Sequence, residues 1–159
     1  MRLPPDAPPG TRFARAADRD LPFIAAGTLA GRLTTADLMG YHRPEDLQFT
    51  LFRILGERVA GAACFCLEPQ ELTVDYLARN LPFTAPGVAV GSVLLSATEH
   101  IARLASCTFV RLEALDEATL LAWYRSQGFE PDGGPHSDPA WGRLHPMVKS
   151  VAKAPSAPP

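Results

Sequence analysis

Nine consecutive residues, Val59-Ala60-Gly61-Ala62-Ala63-Cys64-Phe65-Cys66-Leu67, are small or apolar throughout and follow a Gly56-Glu57-Arg58 turn. A run of that length falls well short of the ~20 apolar residues that span a bilayer. Its uniform apolarity also differs from the in–out alternation of a strand with one wet face. It reads as a central strand buried on both faces, and a sheet built around such a strand needs a covering layer on each side.

The neighbouring segments supply the sheet and its cover. Gln48–Leu55 is rich in strand formers and Leu72–Leu77 alternates, so three strands form a meander around the central run. After Gly91 the period changes: Val93, Leu94, Ala97, Ile101 and Leu104 recur at helical spacing, which predicts a helix ending near Ser106. Cys107–Leu115 reads as a strand and Glu117–Gln127 as a second helix, with Gly128 where a helix C-terminal glycine belongs. Phe129–Pro131 resumes extended chain, Asp132–Trp141 reads as a polar loop rich in Gly and Pro, and Arg143–Val151 as a closing strand. Upstream, Thr11–Arg15 predicts a short opening strand. Asp18–Gly31 is helical or irregular, weakened by Gly27 and Gly31, and Thr34 is an N-cap for a short helix stopped before Pro44. This order predicts an α/β fold, a mixed, mostly antiparallel central sheet with helices on both faces.

The ends differ in character. Leu3 to Gly10 holds four prolines and Ala154 to Pro159 three, so residues 1–10 and 152–159 are expected to be flexible flanks of one domain, 11–151. Fifteen basic against seventeen acidic residues leave a formal net charge of −2, which argues against a nucleic-acid partner. The N-terminus lacks the apolar region of a signal peptide, and Cys64, Cys66 and Cys107 form neither a closed disulfide set nor a zinc pattern. A cytoplasmic protein with no membrane partner is the expectation.

One turn carries chemistry. Pro86-Gly87-Val88-Ala89-Val90-Gly91-Ser92 lies between a strand and the strongest helix. A helix N-terminus leaves backbone N–H groups unpaired and partly positive, a setting that holds phosphate. Glycine at 87 and 91 lets the backbone approach such a ligand closely, and Ser92 adds a hydroxyl.

The turn does not stand alone. Tyr76-Leu77-Ala78, Gly87 to Leu95, Val110 to Ala114, and Trp123-Tyr124-Arg125-Ser126-Gln127-Gly128-Phe129-Glu130 follow in an order that resembles the core of the GNAT family of acyl-CoA-dependent N-acetyltransferases. The resemblance spans about residues 11–151 and is specific from Tyr76 to Glu130. In that family an Arg/Gln-x-x-Gly-x-Gly/Ala turn cradles the CoA pyrophosphate, and a Tyr-x-x-x-Gly-Phe-Glu run is matched here by Tyr124, Gly128, Phe129 and Glu130. Two positions depart from the pattern. Pro86 stands where Arg or Gln is expected and Ala89 where the middle glycine is expected, and proline has no N–H to offer a phosphate.

The resemblance implies acetyl-CoA as acyl donor, with Gly87, Val88, Ala89, Val90, Gly91 and Ser92 holding the pyrophosphate and the backbone of Leu77, Ala78 and Arg79 pairing with the pantetheine arm. It implies transfer of acetyl to an amine, of a small molecule or a protein, by direct attack on the thioester. It leaves open a catalytically degenerate acyl-CoA-binding or regulatory module, and it admits a homodimer. Tyr124 is then the acid at the departing sulfur. For the base that takes the amine's proton, Glu113 ranks ahead of Asp75, both being on strands beside the cleft. His42, His100, His136 and His145 show no metal-ligand spacing; His100 and His136 read as solvated.

Overall fold

The computed structural model describes residues 4, 6–26 and 33–151. Eight strands, β1 (Thr11–Phe13), β2 (Gln48–Leu55), β3 (Arg58–Glu68), β4 (Glu71–Arg79), β5 (Phe109–Leu115), β6 (Glu130–Pro131), β7 (His136–Asp138) and β8 (Gly142–Ser150), form one sheet. Their order is β1-β2-β3-β4-β5-β8-β6, with β7 also on β8. The pairs are antiparallel except β4–β5, which is parallel. Among the described residues three α-helices cover it: α1 (Thr35–Tyr41), α2 (Gly91–Leu104) and α3 (Ala118–Ser126).

The apolar run 59–67 is the middle of β3, and Val59 to Phe65 are all buried. On one face Ala63, Phe65 and Leu67 pack with Leu94, Leu95 and Ile101 of α2; on the other Val59, Ala62 and Cys64 pack with Leu38 of α1. Each large aliphatic side chain so buried contributes about 1.5–3 kcal/mol. Gly61 is where sheet and helix come closest: a Cβ there would sit 2.3 Å from Val90 Cγ1 and 2.9 Å from the Ala78 carbonyl oxygen. The missing side chain makes a notch into which Val90, buried just ahead of α2, fits.

Local signals set the helix ends. Thr34 Oγ1 accepts from the Asp37 amide at 3.1 Å while Asp37 Oδ2 accepts from the Thr34 amide at 2.8 Å, a reciprocal cap for α1. Gly128, just past α3, has φ +94°, the left-handed conformation that glycine adopts freely. Lys149 on β8 donates to the Gln127 carbonyl and to Glu99 Oε1, both at 2.7 Å, and so ties α2, α3 and the sheet together.

Two segments differ from the sequence expectation. The stretch 132–141 contains β7, because His136 to Asp138 pair with Leu144 to Gly142 across a tight turn that polar residues tolerate. Residues Ala16–Asp20 form a 3₁₀ turn, and Ala25 makes a bridge with Asn80; residues 27–31 of the expected helical or irregular segment lie outside the described residues. At the amino end, Ala7 packs against the core and the Gly10 carbonyl accepts from the Ile54 amide. Among the described residues, no helix is long and apolar enough to cross a membrane.

Candidate functional site

The parallel pairing of β4 and β5 stops at Val74 and Leu112. Beyond that point β4 stays with β3 as far as Arg79 and β5 stays with β8 as far as Leu115, so the two strands part. A cavity of about 520 Å³ opens between them. Leu120 and Tyr124 of α3, Tyr41 of α1 and Trp141 ahead of β8 complete its walls. All three side chains expected from the sequence to carry the chemistry, Tyr124, Glu113 and Asp75, line it.

Asp75 owes its position to an irregularity. Cys64 pairs with Tyr76 and the next residue, Phe65, pairs with Val74, so Asp75 is an extra residue on β4. The Tyr41 hydroxyl donates to Asp75 Oδ2. Enclosure raises the Asp75 carboxyl above its usual range; the Tyr41 bond opposes this, and the negative charge of Glu113 adds to it. The same burial and the carboxylate beside it push the Tyr41 hydroxyl upward, so Tyr41 remains a donor.

Glu113 is half-exposed at the cavity's wall, and His136 Nε2 lies 2.5 Å from its Oε1. The hydrogen bond to Glu113 raises the His136 imidazole, which favours the charged pair. His136 is exposed, in keeping with its reading as solvated, and the sequence did not show its pairing with Glu113. A second pair, His145 Nε2 to Asp116 Oδ1 at 2.8 Å, stands close by in sequence, at the end of β5 and on β8. Neither histidine carried a sequence signal, because β7 and β8 bring them to β5 across gaps of 23 and 29 residues.

Tyr124 is 7% exposed, packs edge-on to Phe129 at 5.9 Å, and its hydroxyl has no protein partner among the described residues. The residue lines the cavity. Burial pushes this phenol up to about 12, so it stays protonated through the physiological range.

The turn expected to hold phosphate lies outside this cavity's wall. Gly87 has φ +85°, a conformation glycine adopts without strain. No side chain caps α2, and its first intrahelical bond runs from the Leu94 amide to the Val90 carbonyl, so the amides of Gly91 to Val93 have no helical acceptor. Trp123 of α3 covers this end: its Cη2 is 3.1 Å from where a Cβ on Gly91 would be. Of the three strand residues expected beside it, only Leu77 lines the cavity. Asn80 donates its amide to Ala60 of β3, so strand alternation turns Ala78 toward β3 as well and Arg79 away from it. The Arg79 carbonyl accepts from the Ala26 amide, which places residues 24–26 on the edge of β4 that β5 has left. The buried Asn80 holds them there, its side chain bonding Ile24 N, Pro22 O and Val59 O.

No sequence-family model and no curated protein sequence matches the chain. Solved structures do. The ribosomal-protein-S18-alanine N-acetyltransferase of Escherichia coli superposes with TM-score 0.70 at 15% identity, over 92% of this chain and 96% of that one. Ard1 of Thermoplasma volcanium gives TM-score 0.72 at 23% identity, over 90% and 97%. The PaiA N-acetyltransferase of Thermoplasma acidophilum, in complex with coenzyme A, gives TM-score 0.59 at 15% identity, over 74% and 72%. The meander, the parting of β4 and β5, the helix between them and these superpositions together establish that the chain has the GNAT fold of the N-acetyltransferases.

Proposed function

We infer that the chain is an N-acetyltransferase that moves an acetyl group from acetyl-CoA to an amine. The observation that carries this reading is the convergence of Glu113, Asp75 and Tyr124 on one cavity where β4 and β5 part. The likeness to N-acetyltransferases, one of them holding coenzyme A, supports the choice of donor.

The residues present fit an acyl-CoA in part. The uncapped amides of α2, with Gly87 and Gly91, suit a pyrophosphate, and Leu77 offers a strand edge at the cavity. Arg79 would serve the donor only after parting from Ala26.

An alkyl ammonium has a pKa near ~10.4, so it must lose a proton before it attacks. Glu113, with its charge balanced by His136, accepts that proton, and Asp75 is the second candidate. The neutral nitrogen bonds to the thioester carbonyl carbon, and the tetrahedral intermediate collapses with loss of the C–S bond. Tyr124, protonated and without a partner, gives its proton to the departing thiolate, and the second proton of the acylated nitrogen then restores the phenol.

Thermal denaturation with acetyl-CoA tests the donor. A ligand at a hundred times its Kd adds about 2.7 kcal/mol, a rise of roughly 5–10 °C for a domain of this size. Thiol release on adding amines then tests transfer. Absence of any shift at millimolar acetyl-CoA overturns the reading; a shift without thiol release with any amine leaves a binder of acyl-CoA.

A further inference from the structure

The cavity continues into a second space of about 260 Å³, and Leu33, Tyr41, Tyr76 and Trp141 line both. The three aromatic rings form a connected wall: Tyr41 and Tyr76 meet edge-on with centroids 6.0 Å apart, and Tyr76 and Trp141 are 6.1 Å apart. Asp37 lines the second space, while Asp75, Glu113, Glu117 and Asp138 line the first. Among the described residues lining the two spaces there is no Lys, Arg or His.

Charge of one sign in a concave site raises the local concentration of the opposite sign. Carboxylates alone would make only a solvated acidic surface, but two other features belong to this site. Tyr124 is 7% exposed, its hydroxyl has no protein partner among the described residues, and the residue lines the first space. Aromatic faces with a carboxylate among them are the setting in which an ammonium ion, once desolvated, is held. An anionic acceptor finds no complement in the second space, where Asp37 is the one charged residue among the described lining.

We propose that the acceptor is a dication, an aliphatic chain bearing an ammonium group at each end. One end lies among Asp75, Glu113 and Tyr124, and the other in the compartment of Tyr41, Tyr76 and Trp141 with Asp37. The compartment binds the second ammonium by the ring faces and the carboxylate, and the alkyl chain bridges the two spaces. This rests on the acetyl-transfer reading for the fate of the first amine, but not for the recognition of the second.

Calorimetric titration of the full chain with 1,4-diaminobutane and with butylamine, at one ionic strength, separates the two ideas. The ligands share a four-carbon chain and differ by one ammonium. The diamine is expected to bind about tenfold or more tighter. Trp141→Ala removes that advantage, Trp141→Phe keeps part of it, and Asp37→Asn, which retains an oxygen for Thr34, reduces it. Equal affinities, no binding of either amine, or a preference untouched by Trp141→Ala and Asp37→Asn overturns the proposal. A diamine preference that Trp141→Ala removes and Asp37→Asn reduces, with no thiol release from acetyl-CoA, upholds the dication site and overturns acetyl transfer instead.

Discussion

The Tyr41 hydroxyl, at the last residue of α1, donates to the carboxylate of Asp75, the bulged residue of β4. This bond is the force that holds Asp75 down against enclosure and against the charge of Glu113.

Removing it has a defined sign. Tyr41→Phe keeps the ring and deletes a donor that favours the ionised form, so the Asp75 carboxyl rises further. The acid limb of the kcat/KM profile is expected to move to higher pH if Asp75 is the base. Carboxyl titration by NMR reads the same shift directly, and an unmoved Asp75 would show that the bond contributes nothing in solution.

Tyr124→Phe tests the acid at sulfur. The ring contact with Phe129 survives, and the hydroxyl has no protein partner to lose, so the thermal midpoint should change little. Loss of a general acid lowers kcat by about 10²-fold or more, while acetyl-CoA affinity by thermal shift stays the same. An unchanged kcat removes Tyr124 from the mechanism.

Glu113→Gln against Asp75→Asn decides between the bases. Glu113→Gln is expected to lower kcat by about 10²-fold and Asp75→Asn by less. Steady-state rates at saturating donor and acceptor give the comparison, and the reverse order makes Asp75 the base.

The ion pair at Glu113 should titrate. His136 has its pKa raised from the ordinary 6.5, so the pair is complete below that value and is lost as pH climbs through the raised one. NMR titration of the His136 ring reads the raised value, and Glu113→Gln is expected to bring it back toward the ordinary one. Because His136 is exposed, high salt should weaken the effect.

Gly61→Ala is expected to destabilise the fold by about 1–3 kcal/mol, since the added methyl meets Val90 and a backbone carbonyl. Val90→Ala in the same chain removes the nearer obstacle and should recover part of the loss, a coupling that denaturant titration of the four variants measures. Additive losses would mean that Val90 does not sit over Gly61.

The fold was legible where signals are local or periodic. The run 59–67 announced a strand covered on both faces, the spacing from Val93 to Leu104 announced α2, and Thr34 and Gly128 marked helix ends. Asp75 and Glu113 read as strand residues, and both line the cavity that Tyr124 lines. What the sequence hid depends on register and long-range closure. The bulge at Asp75 arises from how β3 meets β4, and no residue type in Thr73-Val74-Asp75-Tyr76 declares it. His136 reaches Glu113 only because three polar residues pair with β8, and polar residues near Gly and Pro read as a loop. Tyr41 and Trp141 are far apart in sequence, and the wall they share is built from the end of α1 and the residue ahead of β8.

The notch at Gly61 has a consequence for the turn that precedes α2. Val90 is locked from beneath, by the sheet, so the helix begins at the same spot whatever precedes it. Address and chemistry are thereby separated: β3 sets where the amides of α2 stand, and residues 84–89 set what surrounds them. Substitutions at Pro86 or Ala89 are therefore expected to change the lining of that turn and to leave the start of α2 where it is.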